Sequence, residues 1–181
     1  RCRTRSAPIA TCASWSRRRR FTPTGSSDSF EIRKGGREVI ERIVEQLQAR
    51  HAELDEPYPL TTDYVVDLYR ALPDGVLRPY AATEAGSFVG GSLSLQFGDT
   101  VFAWQGSAKA DAGASVNDHL QWRVMCDAIE DGVTRYDLVG ANNPRISTYK
   151  AKFAPGLEQY YELSRGSPLV NLAVDAYRRF R

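Results

Sequence analysis

Asn117-Asp118-His119-Leu120-Gln121-Trp122-Arg123-Val124-Met125-Cys126-Asp127-Ala128-Ile129, followed after a break by Thr134-Arg135-Tyr136-Asp137-Leu138-Val139, is the stretch on which the fold turns. Trp122, Met125, Cys126 and Ile129 fall at i, i+3, i+4 and i+7, the spacing that puts four side chains on one face of a helix. Ser115 or Asn117 supplies the N-cap, and Gly132 marks the C-terminal stop. Residues 134–139 then read as a short strand. A strand, a helix and a returning strand in this order give two parallel strands, because the helix carries the chain back to the starting end of the sheet.

Upstream of the helix the period changes. Val89, Gly91, Leu93, Leu95 and Phe97 alternate with Phe88, Gly90, Ser92, Ser94 and Gln96, which is the two-residue period of a strand. Residues 76–83 and 100–106 fit strands on either side, with turns at Glu84-Ala85-Gly86 and Gly98-Asp99, so an antiparallel meander is expected. Before it, Val39, Ile40, Ile43, Val44 and Leu47 recur at helical spacing to about His51. Thr62 reads as the N-cap of a second helix carrying Val65, Leu68, Tyr69 and Leu72, which Pro73-Asp74-Gly75 ends. Downstream, residues 140–147 read as a loop leading to the segment 149–153, residues 157–164 as a strand, and residues 167–180 as a helix with Pro168 at its first position. The fold class is α/β (α+β): a mixed sheet with an antiparallel N-terminal meander, one parallel pair and flanking helices.

The chain has 181 residues, 42% hydrophobic and 25% charged, the balance of one globular domain with a sizeable core. No run of 18 apolar residues is present, so no membrane span is expected. The net charge of +2 is uneven: seven arginines (Arg1, Arg3, Arg5, Arg17, Arg18, Arg19, Arg20) precede the first acidic residue, Asp28, and +2 less seven leaves −5 for the remainder. Residues 1–34 therefore read as a mobile Arg-rich leader suited to a polyanion, and residues 35–181 as a single, mildly acidic domain. The leader's apolar stretch is broken by Thr11 and Ser14 and is followed, not preceded, by Arg17 to Arg20, so it does not read as a secretory signal and the cytoplasm is the expected compartment. The chain begins with Arg, which leaves room for an upstream segment. Cys2, Cys12 and Cys126 are odd in number and far apart, and only His51 and His119 are available to assist them. Neither a disulfide framework nor a metal site is expected, and Cys126 reads as a small core residue.

Three motifs add specificity: His119-Leu120-Gln121-Trp122, Arg135-Tyr136-Asp137-Leu138-Val139-Gly140, and Tyr149-Lys150-Ala151-Lys152-Phe153 with Tyr160-Tyr161 after it. Together they resemble the Leu-x-Trp helix, the (Tyr/Phe)-Asp-x-x-Gly strand end and the Phe-Lys-x-x-Phe-Gly turn of GNAT-superfamily acyltransferases, in particular the second lobe of Fem-type aminoacyl transferases and the cellulose-biosynthesis-type proteins. The resemblance runs over roughly residues 37 to 181, with Ala154 where those proteins have Gly and Tyr149 where they have Phe. It implies a GNAT fold, in which two neighbouring parallel strands, here residues 100–106 and 134–139, splay apart around the acyl donor. It also implies an N-acyltransferase that moves an aminoacyl or other acyl group from an activated ester or thioester to an amine. Acetyl-coenzyme-A-dependent N-acetyltransfer and a non-catalytic binding lobe are the alternatives. The implied partners are an amine-bearing acceptor, a second GNAT lobe or a second copy of the chain, and tRNA held through the leader arginines.

Acyl transfer to an amine develops an oxyanion, and a fixed cation beside it lowers the barrier. The resemblance places a lysine near the transferring centre, and Lys150 occupies that position; the chain has only three others, Lys34, Lys109 and Lys152. Lys152 is the weaker candidate, and a solvated loop lysine is the bland reading of either. Asp137, at a strand end where the splay should open, either takes a proton from the incoming amine or braces the turn beside Asn142 and Asn143. Trp104, Asn117, Trp122, Tyr136, Tyr149 and Phe153 are the candidates for lining the substrate site, the aromatic ones being equally suited to packing. His119 reads as a surface or capping group, and Gly90-Gly91-Ser92-Leu93-Ser94 lacks the elbow of a nucleophilic serine. Coenzyme-A enzymes cradle pyrophosphate on backbone N–H groups of a glycine-rich loop at a helix start. Residues 107–115 hold one glycine, Gly113, and an opposing charge, Asp111, so no tightly bound cofactor is expected. The acyl donor, aminoacyl-tRNA or acyl-coenzyme A, is a co-substrate.

Overall fold

The computed structural model describes residues 2–5, 30–108, 116–140, 142–159 and 176. In chain order the elements are β1 (Cys2–Arg5), β2 (Glu31–Lys34), α1 (Arg37–Glu53), α2 (Thr62–Ala71), β3 (Leu77–Glu84), β4 (Ser87–Phe97), β5 (Thr100–Ala108), α3 (Val116–Glu130), β6 (Arg135–Gly140), α4 (Pro144–Ala151) and β7 (Gly156–Gln159). The strands form one mixed sheet in the order β2-β3-β4-β5-β6-β1-β7. Every pairing is antiparallel except β5 with β6, which run parallel over Thr100↔Arg135, Val101↔Tyr136 and Phe102↔Asp137. The meander and the β-helix-β unit expected from the periods are therefore present, and the fold is the expected mixed α+β one.

Helices cover both faces of the sheet. On one face the buried stripe Val39, Ile40, Ile43, Val44 and Leu47 of α1 packs with Val65 and Val66 of α2 against Leu77, Ala81 and Leu93. On the other, Val116, Leu120, Val124, Met125 and Ala128 of α3 pack on Tyr80, Ala82, Val101, Tyr136 and Leu138. Each fully buried Leu or Ile contributes roughly 1.5–3 kcal/mol by leaving water, so these two clusters hold the layers together. The α3 face is rotated from the expected one: Trp122 and Ile129 sit at its margin, and Val116, Leu120 and Val124 take the centre. His119, expected at the surface, is 6% exposed, with its ring 5.7 Å from that of Phe30. The helix packs over the sheet from its first turn, with Val116, Asp118, His119 and Leu120 all buried.

Three bulges shape the sheet, one of them at Leu138, the extra residue opposite β1, where Thr4 pairs Val139 and Arg5 pairs Asp137. Val89 is the extra residue opposite β3, where Ala82 pairs Gly90 and Thr83 pairs Phe88, and this moves Phe88 to the α1 face and Val89 to the α3 face. The simple alternation expected for β4 therefore breaks at its start. Trp104 is the extra residue opposite β4, where Leu93 pairs Gln105 and Ser94 pairs Ala103. A bulge bends its strand and raises the local twist.

Several expectations are corrected. Residues within 140–147, expected as loop, contain the start of α4, because the Asn143 side chain accepts from the backbone N–H of Arg145 at 2.9 Å and of Ile146 at 3.4 Å, and Pro144 pre-sets the first helical position. The cap of α2 is Thr61, whose Oγ1 accepts from Tyr64 N at 3.2 Å, one residue before the expected Thr62. Two short strands fall within residues 1–34: β1, between β6 and β7, and β2, at the opposite sheet edge. Four-residue strands are recruited by backbone pairing and are too short to show a hydrophobic period. Cys126 is disulfide-bonded and not a free core thiol, a pairing that sequence distance conceals. The expected C-terminal strand is described only as Gly156–Gln159, and the expected helix at 167–180 lies outside the described residues but for Ala176. Among the described residues no helix is long and apolar enough to cross a membrane.

Ala154, where the resembled turn has Gly, stands just beyond α4 with φ 46°, in the left-handed region that costs a residue with a Cβ about 1–2 kcal/mol. Ala154→Gly is therefore expected to stabilise the chain by about 0.5–1 kcal/mol after the greater freedom of unfolded glycine is counted. Chemical denaturation checks this, and an unchanged or lower midpoint would mean that Ala154 is not strained.

Candidate active site

β5 and β6 stop pairing after Phe102↔Asp137. Beyond that point the bulge at Trp104 turns β5 aside, and on β6 Val139 adopts φ 54°. The strands open into a cleft of about 470 Å³. Its walls are Ala103, Trp104, Gln105 and Gly106 from β5 and Leu138, Val139 and Gly140 from β6; Asn117 and Gln121 of α3 close one side, and Ile146, Tyr149 and Lys150 of α4 the other. Ser92 of β4 lies at its base, with a buried hydroxyl that has no hydrogen-bond partner among the described residues.

Lys150 is the one charged side chain among these lining residues. It is partly buried, and its Nζ donates to the Gly140 carbonyl at 2.6 Å. Burial favours the neutral amine and lowers its pKa below the usual lysine range, while the Asp137 charge opposes that shift. The cation is therefore held on the wall of the opening, in the last turn of α4. Asp137 is 0% exposed, and its Oδ1 accepts from Val139 N at 2.7 Å. It stands beneath the wall and is not among the cleft-lining residues.

The remaining candidates divide. Trp104, Asn117 and Tyr149 line the cleft. Tyr136 and Phe153 are buried in the α3-side core and Trp122 packs against it, so none of the three lines the cleft. Tyr136 donates its hydroxyl proton to Gln121 Oε1, and burial raises its pKa far above the ordinary phenol value. Phe153 meets Tyr149 edge-on, with ring centroids 5.7 Å apart, and so supports a lining residue from behind.

Behind Tyr149 lies a group that sequence reasoning missed. Asp118, 2% exposed in the first turn of α3, takes the Lys152 Nζ at 3.2 Å on Oδ2, while its Oδ1 and the Tyr149 hydroxyl are both buried without a direct hydrogen bond. Burial first, and the Asp118 charge second, push the Tyr149 pKa up, so the phenol keeps its proton. Gln121 was also missed, although Asn117 and Gln121 at i and i+4 necessarily share a helix face. Asp118 had no such signal, since a carboxylate in a first helical turn is ordinarily solvated. Among the described residues no group of three His, Cys, Asp or Glu side chains could hold a metal ion.

The sheet is thus opened between its one parallel pair, with the Lys150 amine on the wall of the opening. The sequence model of the acetyltransferase (GNAT) domain matches residues 14–151, more than half of the chain, and the chain belongs to that family. Among solved structures it resembles FemX, at 12% identity and a TM-score of 0.68, over 86% of this chain and 59% of that one. It also resembles the C-terminal domain of a putative lysylphosphatidylglycerol synthetase from Agrobacterium fabrum, at 15% identity and a TM-score of 0.62, over 98% of this chain and 65% of that one. A third is AAC(6')-Iy in complex with the bisubstrate analog CoA-S-monomethyl-acetylneamine, at 14% identity and a TM-score of 0.58, over 76% of this chain and 97% of that one. These likenesses concern the fold, and the chain spans less than two thirds of FemX. No curated protein sequence matches the chain.

Proposed function

We propose that this chain is a Fem-like N-acyltransferase that moves an aminoacyl or other acyl group from an activated ester or thioester to an amine, with Lys150 stabilising the oxyanion. The observation that carries the reading is the Lys150 Nζ on the cleft wall, the only charge among the described residues that line it. In a partly enclosed cleft a single cation interacts with developing charge far more strongly than in water. The Tyr149 ring stands beside it on the same wall, while Trp104 and Asn117 shape the opposite side. These roles leave the acceptor to be completed from elsewhere, and the 59% coverage of FemX suits a lobe that works with a second lobe or a second copy.

The donor is the point at which the two enzymatic readings part. Acetyl-coenzyme A as donor is favoured by the family's acetyltransferase members and by the coenzyme-A analogue bound to AAC(6')-Iy. Against it stands the composition of residues 107–115, with Gly113 alone to let a backbone approach pyrophosphate, in a segment whose residues 109–115 lie outside the described ones. Titration calorimetry at moderate salt is expected to show only weak acetyl-coenzyme A binding, on the order of millimolar. Aminoacyl-tRNA is expected to bind more tightly, with a steep salt dependence that is lost with the arginines of residues 1–30. A micromolar, salt-tolerant dissociation constant for acetyl-coenzyme A would select the acetyltransferase reading instead.

A further inference from the structure

We propose that Asp137 and Val139 form a backbone brace that sets the Lys150 amine on the cleft wall, with Asp137 as a positioning residue and not as the base. Val139 has φ 54°, a conformation that a β-branched side chain adopts only where its surroundings enforce it. One enforcing contact is next to it, in addition to the bulged pairing of Val139 with Thr4: Asp137 Oδ1 accepts the Val139 N–H at 2.7 Å, closing a turn of the kind a short carboxylate makes with the amide two residues on. The following residue, Gly140, presents its carbonyl to Lys150 Nζ at 2.6 Å. Three links thus run from a buried carboxylate, through one strained residue, to the cation.

The same geometry excludes the other role for Asp137. Leu138, Val139 and Gly140 supply the β6 wall of the cleft, Asp137 is 0% exposed behind them, and one of its oxygens is committed to the Val139 amide. An amine in the cleft meets the wall before it meets this carboxylate. The proposal rests on the acyl-transfer reading for what Lys150 does, but not for how Lys150 is held.

The test is therefore made without substrate, by trace labelling with acetic anhydride against an internal amine standard, read at Lys150 and Lys34 by peptide mass spectrometry across pH. The limiting alkaline rate reports access, and the midpoint reports protonation. Asp137→Asn keeps an oxygen to accept the Val139 N–H, so the Lys150 limiting rate should stay at the wild-type value while the midpoint falls with the lost charge. Asp137→Ala removes the acceptor. Val139 then relaxes, and the limiting rate should rise roughly fivefold toward that of Lys34, the population change made by one net hydrogen bond. Adding Val139→Gly to Asp137→Ala should restore the low rate, because glycine adopts positive φ without a brace. An Asp137→Asn protein whose Lys150 is as accessible as Lys34 overturns the proposal, as does a double variant that shows no recovery. If Asp137→Ala fails to fold, the Asp137→Asn result decides alone. A chain inactive in every transfer assay that still gives this labelling pattern refutes the acyl-transfer reading and upholds the brace.

Discussion

Replacing Lys150 with alanine is expected to lower acyl transfer by about 10²-fold or more, the scale on which a single oxyanion stabiliser acts. The reason is local. Lys150 is the only charge among the described cleft-lining residues, so no neighbour there can take over its role. Lys152, two residues away, is the internal control: its Nζ is turned to Asp118 at 3.2 Å, its side chain is 48% exposed, and it does not line the cleft. Lys152→Ala should therefore cost less than about tenfold, since a half-exposed ion pair is worth about 1 kcal/mol or less. The pH dependence carries a sign. The stabiliser is the ammonium form, so activity is present below the Lys150 pKa and lost as pH rises through it. Because burial lowers that pKa, the alkaline loss should begin earlier than for an ordinary lysine of 10.5. Initial rates across pH, with both variants, decide the matter. Equal and small losses in the two variants would remove Lys150 from the chemistry.

Gly91→Ala is expected to destabilise the chain by about 2–3 kcal/mol, toward the upper end of what overpacking a core costs. A Cβ at Gly91 would stand 2.3 Å from Ile43 Cγ1, 2.7 Å from Ile43 Cδ1 and 2.9 Å from the Tyr80 carbonyl oxygen. Ile43 is itself buried in the α1 stripe, and the carbonyl belongs to the neighbouring strand, so neither gives way cheaply. Gly91 is thus the point at which α1 settles onto the sheet, a close approach of the kind that a glycine inside a strand marks. Urea unfolding measures this as a lower midpoint at unchanged slope. A loss within about 0.5 kcal/mol would mean that α1 does not pack there.

How much of this was legible beforehand depends on the range of the interaction responsible. The α1 stripe Val39, Ile40, Ile43, Val44 and Leu47 and the meander β3–β5 follow from side-chain periods of 3.6 and 2, which act within a few residues and survive any tertiary detail. The parallel pairing of β5 with β6 follows equally, because a helix between two strands constrains their direction. The lysine of the cleft was legible only by resemblance. Neither its helix nor its hydrogen bond to Gly140 has a periodic signature, although Asn143-Pro144 is the local signature of a helix start.

Tertiary structure decided the rest. Whether Tyr136, Phe153 and Trp122 serve the cleft or the core turns on which face of β6, α3 and the turn after α4 meets the sheet, and an aromatic residue reads alike in either place. Asp118 gives no sign in the sequence of being buried behind Tyr149, because its ion-pair partner Lys152 lies thirty-four residues away. The proposed brace at Asp137 likewise rests on coordinates, since a two-residue hydrogen bond and a left-handed Val139 are backbone events that residue identity does not announce. Periods record how a segment meets water, and so they determined the elements and their order; the site depends on where two bent strands part, and only the packing of the whole sheet sets that.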